Sequence, residues 1–395
     1  MNVAYYCQHV LGIGHFHRSM EICKAIARHQ ATTKTTLILG GPPVEVDQPN
    51  IEVLRLPGLQ MDSEFNNLVP CRPELSLAEV KTARKEQLFS YFKDNGPDVF
   101  ITELYPFGRK AFRFELDPLL EAIRDGSLPN CSCYCSVRDI LVEKKTGREK
   151  FEQRVVETVN AYFDGILVHA DPEIITLDET FGRMADIRTP LHYTGFVTVS
   201  QTEARSERER IRKSLGLSPT SKLIVASIGG GNVGSELLQA ATQAFKILEG
   251  SIPAHLQLFC GPYCDSKIYK DLRNHMQDNI TIDRFTDQFP EWLQAADLSI
   301  SMAGYNTCMN LVQAGIPSLV YPFKQNREQR LRAERLGRKV PMTILEETEL
   351  TPRLLSKRIR EHLKNTRMSS CIKLDGAEET ASQIVKWHGE RAIHD

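Results

Sequence analysis

Two apolar, strand-like runs, each followed by a glycine-rich turn, stand more than half the chain apart in this sequence of 395 residues. Val3–Cys7 leads into Gly12, Ile13, Gly14 and His15, and Leu223–Ser227 leads into Gly229, Gly230, Gly231 and Asn232. A parallel strand that turns sharply into a helix favours residues without a Cβ at the turn. It leaves backbone N–H groups and a helix N-terminus facing any anion that binds there. Repetition of this unit predicts two α/β halves facing each other across a cleft. One half would hold an activated, phosphate-bearing donor and the other its acceptor.

The rest of the chain keeps the same rhythm. In the first half the pattern predicts strands at Val3–Cys7, Thr35–Leu39, Val99–Thr102, Cys131–Val137 and Gly165–His169, with an edge at Tyr193–Val197. Helices are expected over Ser19–His29, Leu75–Asn95, Pro118–Arg124 and 150–161. Polar residues dominate from Gln201 to Ser214, which marks a domain boundary and hinge at 198–220. A second strand–helix series runs from 223 to 336. The expected organisation is an acceptor-side Rossmann-like domain at 1–200 and a donor-binding one at 201–370. A C-terminal helix follows at 371–395, either crossing back to the first domain through Trp387 or ending the chain as an ordinary terminal helix.

Composition narrows the class. With 41% hydrophobic residues, 25% charged residues and a formal net charge of -1, the chain lacks the basic excess of a nucleic-acid binder, and no nucleic-acid partner is expected. The amino terminus enters a strand at once, so neither a secretory signal nor a transmembrane span is expected. The ten cysteines then read as thiols of a cytoplasmic protein. Cys131, Cys133 and Cys135 alternate along one strand, which suits core packing better than a zinc knuckle, and no metal site is expected.

Several residues carry candidate chemistry. His15, with an imidazole that ordinarily titrates near neutrality, suits a general base for a hydroxyl, with His9 and His17 as alternatives. Glu103 and Arg109 follow a strand. Either Glu103 orients or deprotonates an acceptor while Arg109 grips a phosphate or carboxylate, or the two form a surface pair. Asp139 is a second candidate base. The Gly229–Gly231 turn lacks the Gly-Lys-Ser/Thr ending of a P-loop and departs from the dinucleotide fingerprint, which disfavours an ATPase or a dehydrogenase.

The most specific signal lies between 281 and 333. It combines Ala296-Asp297, Gly304 with Thr307, Gly315 with Pro317, and Gln329 with Ala333. Together these resemble the donor-binding half of GT-B glycosyltransferases of the MurG-like branch, glycosyltransferase family 28, and the Gly12–His15 turn resembles that family's first-domain loop. The resemblance implies a GT-B fold, two Rossmann-like domains facing a central cleft. It implies inverting transfer of a sugar from a nucleotide diphosphate, most simply UDP, to an acceptor hydroxyl or other nucleophile. No covalent intermediate and no obligatory cofactor or metal are implied. By the same resemblance Phe285 meets the nucleobase, Gly304, Asn306 and Thr307 meet the diphosphate, and Glu328 with Gln329 hold the sugar. Asn310 stands where relatives commonly place a ribose-binding glutamate, which leaves dTDP and GDP open.

The implied partners are the nucleotide-sugar donor and an unidentified acceptor, with peripheral membrane contact allowed and either a monomer or a homodimer. Two alternatives remain: a nucleotide-sugar epimerase of the same architecture, and a nucleotide-sugar sensor without catalysis. Residues between Phe65 and Phe114 offer an acceptor channel.

Overall fold

Apolar strands alternate with amphipathic helices to form two α/β units in the computed structural model, Met1–Val197 with Lys373–Asp395, and Thr198–Ile372. The structure describes residues 1–9, 14–29, 32–62, 67–143, 146–199, 204–325 and 327–394. In the first unit the strands are β1 (Asn2–Cys7), β2 (Lys34–Leu39), β3 (Ile51–Arg55), β4 (Leu59–Met61), β5 (Leu68–Pro70), β6 (Val99–Glu103), β7 (Ser132–Arg138), β8 (Gly165–His169) and β9 (Leu191–Tyr193). Its helices up to β9 are α1 (Gly14–His29), α2 (Leu77–Asn95), α3 (Arg113–Arg124) and α4 (Arg148–Tyr162). Seven strands form one sheet in the order β3-β2-β1-β6-β7-β8-β9, and every pairing in it is parallel. Such strands are covered on both faces, and β1, β6, β7 and β8 are buried along nearly their whole length.

Helix starts follow local chemistry. Ser76 caps α2 through Glu79 N–H while the Glu79 carboxylate takes Ser76 N–H, so the helix begins at Leu77. Helix α3 starts at Arg113 and carries Pro118 inside it, where the sequence pattern had placed the first turn. A fully buried Arg84 ties α2 to α3 through Glu115, with Nη2 2.6 Å from Oε1 and Nε 2.9 Å from Oε2. Its Nη1 donates to the Gly40 and Pro57 carbonyls, so the loops after β2 and β3 are pinned to one guanidinium.

The second unit opens with α5 (Ala204–Ser214) and continues with β10 (Lys222–Ser227), α6 (Ser235–Leu248), β11 (Ala254–Phe259), α7 (Ser266–Arg273), β12 (Ile280–Asp283), α8 (Phe289–Ala295) and β13 (Leu298–Met302). It closes with α9 (Tyr305–Ala314), β14 (Ser318–Tyr321), α10 (Arg327–Leu336), β15 (Met342–Ile344) and α11 (Pro352–His362). Six parallel strands run in the order β12-β11-β10-β13-β14-β15.

The polar stretch read as a hinge is largely the helix α5. Arg208 Nη1 donates to the Gln294 and Ala295 carbonyls at 2.9 Å, and Arg212 Nη1 lies 3.0 Å from Asp297 Oδ2. Those contacts seat α5 against the end of α8, and residues 201–203 lie outside the described positions. The last helix, α12 (Gly376–His394), belongs to the first unit, where Trp387 stacks on Tyr134 with centroids 5.2 Å apart.

Candidate functional site

Each sheet reverses its strand order once, between β1 and β6 in the first unit and between β10 and β13 in the second. At such a reversal the loops leaving adjacent strands diverge to opposite faces and open a crevice at the carboxyl ends of the strands. The candidate residues His15 and Glu103 follow β1 and end β6. The turns Gly229–Gly231 and Gly304–Thr307 follow β10 and β13.

Helix α1 begins at Gly14 rather than Ser19, which puts His15 in its first turn and Arg18 one turn on, along the same face. His15 Nδ1 lies 2.9 Å from Glu103 Oε1, and Arg18 pairs with the same oxygen. A carboxylate only accepts, so the shorter contact with Glu103 calls for the imidazole proton on Nδ1 and the lone pair on Nε2, with Arg18 Nη2 3.1 Å from the same Nδ1. Tyr5 O–H donates to Glu103 Oε2 at 2.9 Å, with Ser136 Oγ 3.2 Å from that oxygen. Burial alone would push the Glu103 carboxyl up. The Arg18 charge and the His15 hydrogen bond overcome it and hold the group well below the usual carboxylate range.

The near-neutral titration expected of His15 is displaced to about 3, first by burial and then by the Arg109 charge. The ring is one-fifth exposed and neutral throughout the physiological range. It is therefore always in the basic form, at the cost of intrinsic basicity.

The other first-unit candidates are placed as follows. Arg109 does not pair with Glu103, whose ion-pair partners are Arg18 and His15. It sits in the loop after β6 at φ 53°, and among the described residues its Nε and Nη2 have no hydrogen-bond partner. Asp139 follows β7 and is fully buried. His9 is buried with Nε2 2.8 Å from the Pro42 carbonyl, whereas His17 is exposed on α1. Gly14 is the first residue of α1, and Gly12 and Phe65 lie outside the described residues. Cys131, Cys133 and Cys135 are buried thiols.

Sequence reasoning missed Arg18, Tyr5 and Ser136. Arg18 had a signal, the three-residue spacing from His15, which becomes informative once the helix is known to start at Gly14. Tyr5 and Ser136 reach Glu103 across 98 and 33 residues of chain, and no local pattern announces them.

In the second unit Gly229 and Gly230 are exposed, as is Asn232, at the end of β10. The turn is locked from below: a Cβ at Gly231 would stand 2.5 Å from the Cys260 carbonyl oxygen, and Tyr263 N–H donates to the Gly230 carbonyl at 2.9 Å. Gly304 is the N-cap of α9 and, as a glycine, offers no side-chain cap of its own. A Cβ there would meet only Thr307 Oγ1, at 3.9 Å, so the helix N-terminus faces open space. Asn306, Thr307 and Asn310 line the same helix and are half-buried.

On α10, Gln329 Oε1 accepts from Phe323 N–H at 2.9 Å, while Glu328 is buried. Fully buried Arg332 lies over the Tyr305 ring at 5.5 Å and joins α10 to α9. Phe285, after β12, is half exposed.

Residues 225–384 match the glycosyltransferase family 28 C-terminal domain. A UDP-N-acetylglucosamine–N-acetylmuramyl-(pentapeptide) pyrophosphoryl-undecaprenol N-acetylglucosamine transferase of Caldicellulosiruptor saccharolyticus is 30% identical over 196 residues, 47% of this chain and 51% of that protein. The chain spans about half the length of the curated relatives it matches.

Among solved structures, Acinetobacter baumannii MurG superimposes with a TM-score of 0.56 at 14% identity, covering 98% of this chain and 99% of that one. A UDP-glucosyltransferase from Polygonum tinctorium gives 0.60 at 10% identity, covering 99% and 94%. The chain therefore has the GT-B fold of these structures, and residues 225–384 match a glycosyltransferase family 28 C-terminal domain.

Proposed function

We propose that this protein transfers a sugar from a UDP-sugar to an acceptor hydroxyl with inversion at the anomeric carbon. The observation that carries the reading is the His15–Glu103 pair at the strand-order reversal of one unit, in a chain whose other unit matches the family 28 domain. In that reaction the acceptor oxygen forms a bond to the anomeric carbon as the bond from that carbon to the diphosphate breaks. His15 Nε2 takes the acceptor proton, and the leaving electron pair passes to the diphosphate oxygen. Glu103 holds the ring in the right tautomer and stabilises the imidazolium that forms.

The donor belongs to the second unit. The N-terminus of α9 at Gly304, Asn306 and Thr307 suits the diphosphate, and the Gly229–Asn232 turn offers further N–H groups to the charge that develops on departure. Phe285 is assigned to the nucleobase, Asn310 to the ribose, and Glu328 with Gln329 to the sugar. UDP is favoured because the similar proteins are UDP-sugar transferases. The reading places its action in the cytoplasm; among the described residues no helix is long and apolar enough to cross a membrane.

The test is mass-spectrometric detection of turnover in a panel of UDP-, dTDP- and GDP-sugars supplied with a cytoplasmic metabolite extract. UDP release matched by a sugar-sized mass gain on an extract component, and lost in His15→Ala, is the expected result. Conversion of the nucleotide sugar itself without transfer would turn the reading to epimerisation.

A further inference from the structure

We propose that the Nε–Nη2 edge of Arg109 is a seat for an anionic group, a carboxylate or a phosphoryl, carried by the acceptor. The proposal rests on the transferase reading and goes beyond it by naming the acceptor's chemistry.

The two nitrogens without partners are not an arbitrary pair. Nε–H and the Nη2 N–H lie on one edge of the guanidinium and point in parallel, the fork that grips two oxygens of one carboxylate or phosphoryl group. Among the described residues nothing in the protein fills that fork, although both atoms are out of contact with solvent. Buried donors without acceptors are rare, and a charged one costs more than a neutral one. A bound anion removes that cost. Arg109 as a residue is only partly buried, so the group sits at the boundary of the unit rather than in its core.

The backbone that carries the fork is anchored on both sides. Phe107 and Phe112, on either side of Arg109 in the chain, are buried, and the Arg109 backbone is held at φ 53°, a conformation uncommon for a residue with a Cβ. Its charged neighbours do not neutralise it. Arg18 and Arg138 add positive charge, and the nearby carboxylate of Glu103 is already shared by Arg18, His15 and Tyr5. A second consequence concerns the base. The Arg109 charge is the largest cause after burial of the low basicity of His15. An anion paired with Arg109 cancels part of that charge, so the base strengthens when an acidic acceptor is in place.

The test titrates the full-length wild type, Arg109→Lys and Arg109→Gln with inorganic phosphate and, separately, with glucuronate, all with saturating UDP to keep phosphate out of the donor site. Calorimetric binding of one probe is expected for the wild type, and the preferred probe identifies a phosphoryl or a carboxylate acceptor. Lys keeps the charge but loses the fork, so its affinity should fall about tenfold, and that of Gln further. UDP affinity should stay unchanged in all three, and a thermal melt reports that the first unit of each is folded; if Gln fails that check, Lys decides. An NMR titration of His15 should show its pKa rising with the bound anion in the wild type only.

Equal anion affinity in the wild type and the variants, or no binding of either probe, overturns the seat. Anion binding that depends on Arg109 without any sugar transfer would instead sink the transferase reading and leave the seat standing. Transfer to a neutral acceptor that is undiminished in Arg109→Gln would do the reverse.

Discussion

His169 Nε2 lies 2.7 Å from Ser136 Oγ, which joins a second buried imidazole to the carboxylate that holds His15. Hydrogen bonds to an ionised acceptor are the stronger ones, so Glu103 takes the hydroxyl protons of Tyr5 and Ser136. Ser136 then accepts from His169 Nε2–H, and Nδ1 accepts from Thr194, 2.9 Å away. Ser136→Ala removes one donor from Glu103 and the hydroxyl acceptor of the His169 N–H. The expected loss is about 1–3 kcal/mol of stability, with a several-fold drop in kcat/KM for sugar transfer. Denaturant unfolding and steady-state kinetics check both, and unchanged values in both would show that the chain does not support the site. Glu103→Gln frees the His15 tautomer, and kcat/KM should fall by about 10²–10⁴ with folding retained.

Acid should destabilise the first unit well before its carboxylates titrate. Burial holds both His15 and His169 at about 3, whereas in the unfolded chain they take up protons near the ordinary histidine value of about 6.5. Between those limits the unfolded state binds protons that the folded state does not, so stability falls as pH drops. The slope is about 1.4 kcal/mol per pH unit for each fully titrating group. Below the ordinary carboxylate range Glu103 adds loss of the same sign, because its folded value is lowered too. Urea midpoints at pH 7.5, 6 and 5 should decline steadily, and less steeply in His169→Gln. A flat or rising series would contradict the burial of neutral imidazoles.

What could be read from the sequence was local, and what was missed depended on the rest of the fold. The strand–glycine–helix turns at Gly14 and at Gly229–Gly231 could be found because the backbone demand lies within a few consecutive residues, and both fall where strand order reverses. Helix α5 escaped notice because Arg208 and Arg212 anchor it to carbonyls and to Asp297 with little help from an apolar stripe, so hydrophobic periodicity has little to detect. The short strands β3, β4, β5 and β15 are only partly buried and lack the continuous apolar runs of the central strands. At the site, the residue types were evident but their coupling was not. The Arg18–Glu103 pair closes 85 residues of chain, and the weak basicity of His15 comes from burial and from Arg109.

Trp387 should anchor α12 to the first unit. Its indole stacks on Tyr134 with planes 23° apart, and a Cβ at Gly165 would stand 2.6 Å from its Cζ3. Trp387→Ala is expected to cost about 2–4 kcal/mol. Gly165→Ala should destabilise by forcing the ring aside. In the double variant the clash is gone, so the combined loss should be clearly smaller than the sum. Thermal or urea unfolding of the four proteins gives the cycle. Strict additivity would mean that the ring and the strand do not press on each other.

Donor affinity should separate two glycines that a sequence motif treats alike. Gly229 has φ 64° but nothing within 4 Å of a Cβ, so Gly229→Ala carries a conformational cost of about 1–2 kcal/mol and little steric conflict. Gly261 lies beneath the turn, where a Cβ would stand 2.4 Å from Gly229 O and from Gly231 N, both backbone atoms that cannot rotate away. Gly261→Ala must therefore move the turn itself. UDP binding measured by calorimetry should weaken only a few-fold in Gly229→Ala and by more than tenfold in Gly261→Ala, provided a melting curve shows the second unit folded. Gln329→Ala offers an independent probe, because loss of the Phe323 N–H partner loosens the start of α10 while the glycine turn stays intact. If Gly261→Ala binds UDP as the wild type does, the Gly229–Gly231 turn is a structural corner and the diphosphate rests on α9 alone.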